Sequence, residues 1–130
     1  MTSVQLAVVG AHLAGMPLHH QLTSRQARFV RTSRTAPSYR LYAMIGTIPP
    51  KPALVHAAGG GSIELEIYEL DVAAFGSFVA EVPAPLAIGT VALEDGTSVK
   101  GFVAEPRAMD GAEDITALGG WRAFMALQAG

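Results

Sequence analysis

The sequence lacks cysteine, long apolar runs and a strong charge of either sign, and each absence excludes a class of protein. Without cysteine the chain can form no disulfide and perform no thiolate chemistry. No apolar run approaches the roughly 18 residues that a membrane span needs, and the first ten residues carry no basic segment of a secretory signal. The formal net charge of −2 argues against nucleic acid or an anionic membrane as a partner. We therefore expect a cytoplasmic protein with neither kind of partner.

Apolar residues make up half of the 130-residue chain, whereas aromatic residues make up only 7%. This length and composition predict one domain, residues 1–130, with a mainly aliphatic core. Alternating apolar residues predict strands at residues 5–9, 27–32, 39–44, 53–55, 63–70, 88–93 and 97–105. Helical segments are predicted at residues 17–22, 72–82 and 115–127. Runs of strands with few helices predict an α+β fold, in which a small mixed sheet, curled or barrel-like, carries helices at its edges.

Several local signals refine these elements. Asp95-Gly96 predicts the turn of a hairpin. Residues 46–52 contain three prolines and are not expected to pair inside a sheet. Gly76 lies inside a predicted helix and costs about 1 kcal/mol relative to alanine, so either an atom packs closely against it or the helix is marginal. Glu64 and Glu66 alternate with apolar residues and are assigned to the exposed side of their strand.

The loop after the first predicted strand is the main candidate site. It begins at Gly10, whose lack of a Cβ allows unusual dihedral angles or a close approach to a ligand. Consecutive free N–H groups in such a loop form a concave site for an anion, so Gly10, Ala11, His12 and Leu13 are predicted to bind a ligand. His12 is predicted to hold a carboxylate or to move a proton near neutral pH. The alternative for His12 is a purely structural role, in which its ring satisfies carbonyl groups of the loop.

Two further histidines, His19 and His20, follow in the same region. On a helix, neighbouring residues point about 100° apart, so this pair is not arranged to share a metal ion. No spacing in the chain suggests further metal ligands, and we expect neither a metal nor a cofactor. His20 is kept as a candidate ligand-binding residue because of its place beside the loop.

Basic residues on predicted strands are candidate partners for a carboxylate. Arg34 and Arg40 carry planar guanidinium groups that suit two-point carboxylate binding, and Lys100 offers a point charge. Tyr42 shares a strand face with Arg40, and Phe102 shares one with Lys100. Such faces are predicted either to line a ligand pocket or to form the solvated side of an open sheet, and the sequence leaves both possibilities open.

The order of these segments resembles a known family. Within the γ-glutamyl cyclotransferase-like fold, a small mixed β-barrel whose first loop binds the substrate, the chain most resembles the carboxy-terminal domain of allophanate hydrolase. The segments that carry this resemblance are VVGAHLAGMPL (8–18), RTAPSYRLYAM (34–44), GTIPPKP (46–52), FGSFVAEVPAPLAIGTV (75–91), VKGF (99–102) and EDITALGGWRAFM (113–125). Together they cover nearly the whole chain.

The resemblance implies a role in urea and allophanate nitrogen metabolism. In the parent enzyme a separate amidase domain with a Ser-cis-Ser-Lys arrangement hydrolyses allophanate, and the carboxy-terminal domain is implicated in decarboxylating the product, N-carboxycarbamate. We expect a free-standing or excised relative that binds a small carboxylated urea derivative. His12 would be catalytic, and Arg34, Arg40 or Lys100 would hold the carboxylate. An amidase domain or subunit and a second copy of the chain are the expected protein partners.

Two alternative functions remain open at this level. One alternative is a non-catalytic module that assembles with an amidase. The other is a cyclotransferase, in which Glu81 would serve as the catalytic glutamate. Glu81 stands one residue from the register expected of that family, and a one-residue shift on a helix turns a side chain by about 100°. The remaining acidic residues of the cyclotransferase motif are absent from the chain.

Overall fold

The computed structural model describes residues 2–129 and contains two β-sheets. A five-stranded sheet has the order β2-β5-β1-β7-β6, and a three-stranded sheet has the order β4-β3-β8. The strands are β1 (Ser3–Val8), β2 (Arg28–Arg34), β3 (Tyr39–Ala43), β4 (Pro52–His56), β5 (Glu64–Asp71), β6 (Leu86–Ala92), β7 (Ser98–Ala104) and β8 (Glu113–Asp114). The α-helices are α1 (His20–Thr23), α2 (Val72–Ala80) and α3 (Trp121–Ala129).

The central strand β1 makes the larger sheet mixed. It runs antiparallel to β5, with Leu6 opposite Tyr68, and parallel to β7, with Leu6 opposite Lys100. Its second half is buried because neighbours cover it on both edges and both faces. A buried parallel pairing explains why the end of β1 reads as a continuous apolar run instead of an alternating one.

The larger sheet curls until its two edge strands meet at one end. Just beyond β2 and β6, Thr35 and Leu93 form an isolated antiparallel bridge. The amide of Ala36 donates to the carbonyl of Ala92 at 2.9 Å, and the amide of Glu94 donates to Arg34 at 3.0 Å. The predicted α+β class with a curled mixed sheet is therefore confirmed, in the form of two open sheets that are not closed into a single barrel wall.

The helices follow from local signals. Asp71 begins α2, where its carboxylate accepts a hydrogen bond from the amide of Ala74 at 2.7 Å. An added Cβ at Gly76 would meet no atom within 4 Å, so no close packing compensates for this glycine in α2. The helical segment predicted at residues 115–127 is interrupted at Gly119, whose φ of +82° ends a short 3-10 turn before α3 begins.

The proline segment departs from its prediction at one residue. Pro52 opens β4 and pairs with Ala43 of β3, although residues 46–52 were expected not to pair. Proline is tolerated at the first position of an edge strand, where the backbone N–H that it lacks is not required as a hydrogen-bond donor to a neighbouring strand. The strand β4 is an edge of the smaller sheet. This pairing brings the end of the proline segment against the loop that follows β1.

Candidate functional site

The loop between β1 and α1 is folded on itself by backbone hydrogen bonds. The amide of Leu13 donates to the carbonyl of Gly10 at 3.0 Å, and the amide of Leu18 donates to Ala11 at 2.8 Å. Leu13 itself is buried in the core. Its amide is therefore engaged in the turn, whereas the sequence analysis expected it to be available to a ligand.

Gly10 is required because another residue packs against it. A Cβ at this position would lie 2.2 Å from Cδ of Pro52, a separation that real Cβ atoms essentially never show. A close approach therefore exists at Gly10, but it is made to the proline ring of β4, whereas the sequence analysis expected it to be made to a ligand. The contact holds the start of the loop against the smaller sheet.

His12 is nearly buried between two aromatic rings. Its ring centroid lies 5.0 Å from that of Phe102 in a stacked arrangement and 5.1 Å from that of Phe78 in a tilted one. Nε2 donates to Oε1 of Gln21 at 2.8 Å, which leaves Nδ1 as the unprotonated nitrogen of the neutral ring. The hydrogen bond of Nε2 is thus made to a side chain and not to a carbonyl of the loop. A structural role and a role toward a ligand both stay predictions for His12.

Burial lowers the pKa of His12 below its usual value. The hydrogen bond with Gln21 acts in the opposite direction and is outweighed, and the positive charge of Lys51 lowers the pKa further. A neutral imidazole is consequently the favoured form at neutral pH. In this form His12 can exchange protons with a ligand, but it supplies no permanent positive charge.

A pocket of about 180 Å³ opens beside His12. It is smaller than the roughly 300–1,000 Å³ typical of drug-sized ligand sites, which favours a small ligand. Its walls include His12, Gln21, Lys51, Glu81 and Phe102. A neighbouring recess of about 20 Å³, lined by Gly10, Ala11 and His12 among others, has room for about one water molecule. The pocket therefore combines an apolar wall, a neutral histidine and charges of both signs.

Two residues of this pocket were missed from the sequence. Lys51 lines both the pocket and the neighbouring recess, so a cation of the kind that was expected on the strands is present beside His12. Its position among prolines gave no periodic pattern from which its orientation could be predicted. Gln21 was overlooked because a glutamine in a short helix has no sequence pattern that marks it as a hydrogen-bond partner. It lies only nine residues from His12 in the sequence.

All three of the predicted basic partners lie elsewhere and are engaged with other groups. Arg40 pairs with Asp114 of β8 at 3.0 Å, and its neighbour Tyr42 is opposite Asp114 in the same ladder. Arg34 donates to the carbonyl of Ser62 at 3.2 Å. Lys100 is exposed and donates to the hydroxyl of Thr90 at 3.2 Å. None of these four side chains is among the residues that line the pocket beside His12.

The two later histidines support the loop from its far end. Nδ1 of His19 donates to the carbonyl of His12 at 2.9 Å, so the backbone carbonyl of His12 is satisfied by another histidine. His20 is exposed and hydrogen-bonds to the carbonyl of Pro17 at 3.0 Å. Within residues 2–129, no group of three or more His, Asp and Glu side chains could hold a metal ion.

Glu66 corrects the sequence analysis, which assigned it to the exposed side of β5. It is only 8% exposed, and its carboxylate accepts hydrogen bonds from the amide of Ala14 at 2.9 Å and the hydroxyl of Tyr68 at 3.0 Å. Its other oxygen pairs with Arg122 at 2.6 Å. Burial raises the pKa of Glu66, but the hydrogen bonds from Ala14, Arg122 and Tyr68 outweigh it and hold the pKa below its usual value. A charged Glu66 therefore holds the loop.

Comparison with known proteins assigns the family. Residues 4–126 match the model of the allophanate hydrolase C-terminal domain. The chain belongs to this family. It is 44% identical over 128 residues to urea amidolyase of Saccharomyces cerevisiae, an alignment that covers 95% of this chain and 7% of the relative. The resemblance noted in the sequence is thereby confirmed.

Solved structures agree with the family assignment. Kluyveromyces lactis allophanate hydrolase matches with a TM-score of 0.93 and 41% identity, over 97% of this chain and 21% of that chain. The allophanate hydrolase C-terminal domain fold thus spans about a fifth of that enzyme. A protein described as specific to uropathogenic E. coli matches over 98% of its own length with a TM-score of 0.89 and 35% identity. A γ-glutamyl cyclotransferase, 12% identical with a TM-score of 0.58, shares the fold.

Within residues 2–129, no helix is both long and apolar enough to cross a membrane.

Proposed function

We propose that this domain binds a small carboxylated urea derivative beside His12 and decarboxylates N-carboxycarbamate in urea and allophanate metabolism. The observation that carries the proposal is the joint presence of His12 and Lys51 in one small pocket. The family and the printed names of the relatives, allophanate hydrolase and urea amidolyase, supply the class of substrate. Among the residues predicted from the sequence, Gly10, Ala11 and His12 belong to the proposed site.

The chemistry of this reaction asks little of the protein. The C–N bond to one carboxylate breaks, carbon dioxide leaves, and the electron pair of that bond returns to nitrogen, which takes up a proton to give carbamate. Lys51 would bind a carboxylate that remains in the pocket, since an ammonium group forms strong charge-assisted hydrogen bonds with carboxylates. His12 would relay the proton between water and the nitrogen, as a neutral imidazole both accepts and donates. No cofactor is needed for this step.

We also propose that an amidase domain supplies the substrate and that the reaction takes place in the cytoplasm. The support for an amidase is that the relatives are much longer chains. This chain spans 7% of urea amidolyase and 21% of allophanate hydrolase. An amidase that hydrolyses allophanate would release N-carboxycarbamate for this pocket. A lasting complex with the amidase, or a homo-oligomer, stays a prediction.

A coupled assay tests the catalytic proposal. An allophanate hydrolase lacking its own carboxy-terminal domain would generate N-carboxycarbamate in solution, and carbon dioxide release would be followed with and without this chain. We expect release to accelerate with the wild-type chain and to stay at the background rate with His12→Ala, whose fold is checked by circular dichroism. Equal acceleration by the wild type and His12→Ala would contradict the catalytic role of His12.

A second candidate is supported by one observation. Glu81 ends α2 and lines the same pocket as His12, while its carboxylate pairs with Arg25 at 3.1 Å. A carboxylate at a pocket wall is the group that a cyclotransferase needs to take a proton from a γ-glutamyl amine. Release of 5-oxoproline from γ-glutamyl amino acids, lost in Glu81→Gln, would favour this activity over decarboxylation. No release would dismiss it.

A further inference from the structure

A clamp formed by Glu66 and Arg122 holds one residue of the candidate loop. One oxygen of Glu66 accepts the amide proton of Ala14 at 2.9 Å. Arg122 donates to the carbonyl of Ala14 at 2.9 Å and, from the same nitrogen, to the other oxygen of Glu66 at 2.6 Å. Both polar groups on the backbone of this single residue are therefore bound by two side chains that also bind each other.

The clamp carries a larger desolvation cost than a purely structural contact at this position requires. Ala14 is exposed, so water could satisfy its backbone groups without any protein partner. Burying the carboxylate of Glu66 instead carries a desolvation penalty that a buried ion pair often fails to recover. This arrangement is better explained by a need to fix the position of the loop than by a need for stability.

The clamp and Gly10 hold the loop on both sides of His12. Gly10 lies two residues before His12 and is packed against Pro52, and Ala14 lies two residues after it. Arg122 belongs to the first turn of α3, which is anchored in the core by Trp121, 2% exposed. A continuous series of contacts thus runs from the core through α3 to the loop.

We propose that Arg122 and Glu66 are positioning residues, which set the affinity of the His12 pocket from outside it by holding Ala14. Neither residue lines the pocket, so each acts through the loop and makes no contact with the ligand. The inference rests on the proposed function, because it requires that the pocket beside His12 binds a small carboxylate.

Tyr68 offers a matched control on the same carboxylate. Its hydroxyl donates to Glu66 at 3.0 Å, yet it makes no hydrogen bond with Ala14. Tyr68→Phe therefore removes a contact of Glu66 and leaves the clamp on Ala14 in place. Arg122→Met keeps a similar side-chain length but removes the bonds of Arg122 to the Ala14 carbonyl and to Glu66. Only the bond from the Ala14 amide to a less restrained Glu66 then remains, and Arg122→Lys restores a donor at the site.

The experiment measures malonate affinity, unfolding free energy and hydrogen exchange of the Ala14 amide in these variants. Malonate is the probe because it replaces the nitrogen of N-carboxycarbamate by a methylene group. We expect Arg122→Met to weaken malonate binding about fivefold or more, within the usual range for coupling between distinct sites. Tyr68→Phe should keep wild-type affinity, and Arg122→Lys should recover part of the loss. The Ala14 amide should exchange faster in Arg122→Met alone.

Two results would overturn the inference. One is wild-type malonate affinity in Arg122→Met. The other is a loss of affinity that follows unfolding free energy equally in Arg122→Met and Tyr68→Phe, as a merely structural role predicts. If the wild type does not bind malonate, the proposed function fails, and hydrogen exchange then decides the clamp separately. Faster exchange at Ala14 in Arg122→Met would support the clamp, and unchanged exchange would refute it.

Discussion

A single added methyl group at Gly10 should disturb both the stability and the ligand pocket. In Gly10→Ala the new Cβ would stand 2.2 Å from Cδ and 2.5 Å from Cγ of Pro52. Carbon atoms need at least about 3.4 Å for ordinary contact, so the proline ring or the loop must move by roughly 1 Å or more. A proline ring has no rotamer that swings away, and the backbone of β4 or of the loop has to move instead.

The magnitude follows from overpacking. Forcing an extra methyl group into a packed site costs about 1–3 kcal/mol. For a chain of this length, about 1 kcal/mol corresponds to roughly 4 °C in Tm, so we expect Gly10→Ala to lower Tm by about 4–12 °C. Because Gly10, Pro52 and His12 line one recess, the same movement should weaken malonate binding.

Two other glycines provide matched controls in urea unfolding and malonate titration. Gly76→Ala adds the same methyl group where no atom lies within 4 Å, and in a helix it should raise stability by up to about 1 kcal/mol. Gly60→Ala places a Cβ 2.3 Å from the carbonyl oxygen of Tyr39, so it should destabilise the fold without changing malonate affinity. A Gly10→Ala protein that matches the wild type in both stability and affinity would refute the reasoning.

Three further outcomes are expected. Lys51→Met should weaken malonate binding about 10- to 100-fold through loss of a charge-assisted hydrogen bond, whereas Lys100→Met should not; calorimetric titration compares the two. The pKa of His12 is lowered on folding, so the unfolded chain binds more protons than the folded chain below about pH 6.5. The free energy of unfolding should therefore fall as the pH drops below about 6.5, and it should fall less steeply in His12→Gln. The pKa of Glu66 is also lowered, so its contribution to the free energy of unfolding is complete above about pH 4.5 and is lost as the pH falls through the lower pKa of the folded state. Urea unfolding of Glu66→Gln and the wild type at several pH values measures this contribution.

Elements with strong local patterns could be predicted from the sequence. The strand β5 and the Asp95-Gly96 turn between β6 and β7 depend on neighbouring residues, and the structure confirms both. The loop after β1 could also be predicted from local signals, because an apolar strand that ends at a glycine is visible in the neighbouring residues alone.

Contacts between distant residues could not be predicted in this way. Glu66 alternates with apolar neighbours and therefore reads as exposed, but its partner Arg122 lies 56 residues away and covers it. Likewise, Lys51 reaches the pocket only because Pro52 pairs with β3 and brings β4 against the loop. The direction in which Arg40 points depends on Asp114 of β8. Each of these facts is set by tertiary packing, which local periodicity does not encode.

The most direct test of a ligand site beside His12 is an isothermal titration of the wild-type chain with malonate at neutral pH, run in parallel with folded His12→Ala. The proposed function predicts saturable binding of one malonate per chain and at least about tenfold weaker binding in the variant, equivalent to about 1.4 kcal/mol. Absence of binding to the wild type, or equal affinity in His12→Ala, would contradict it.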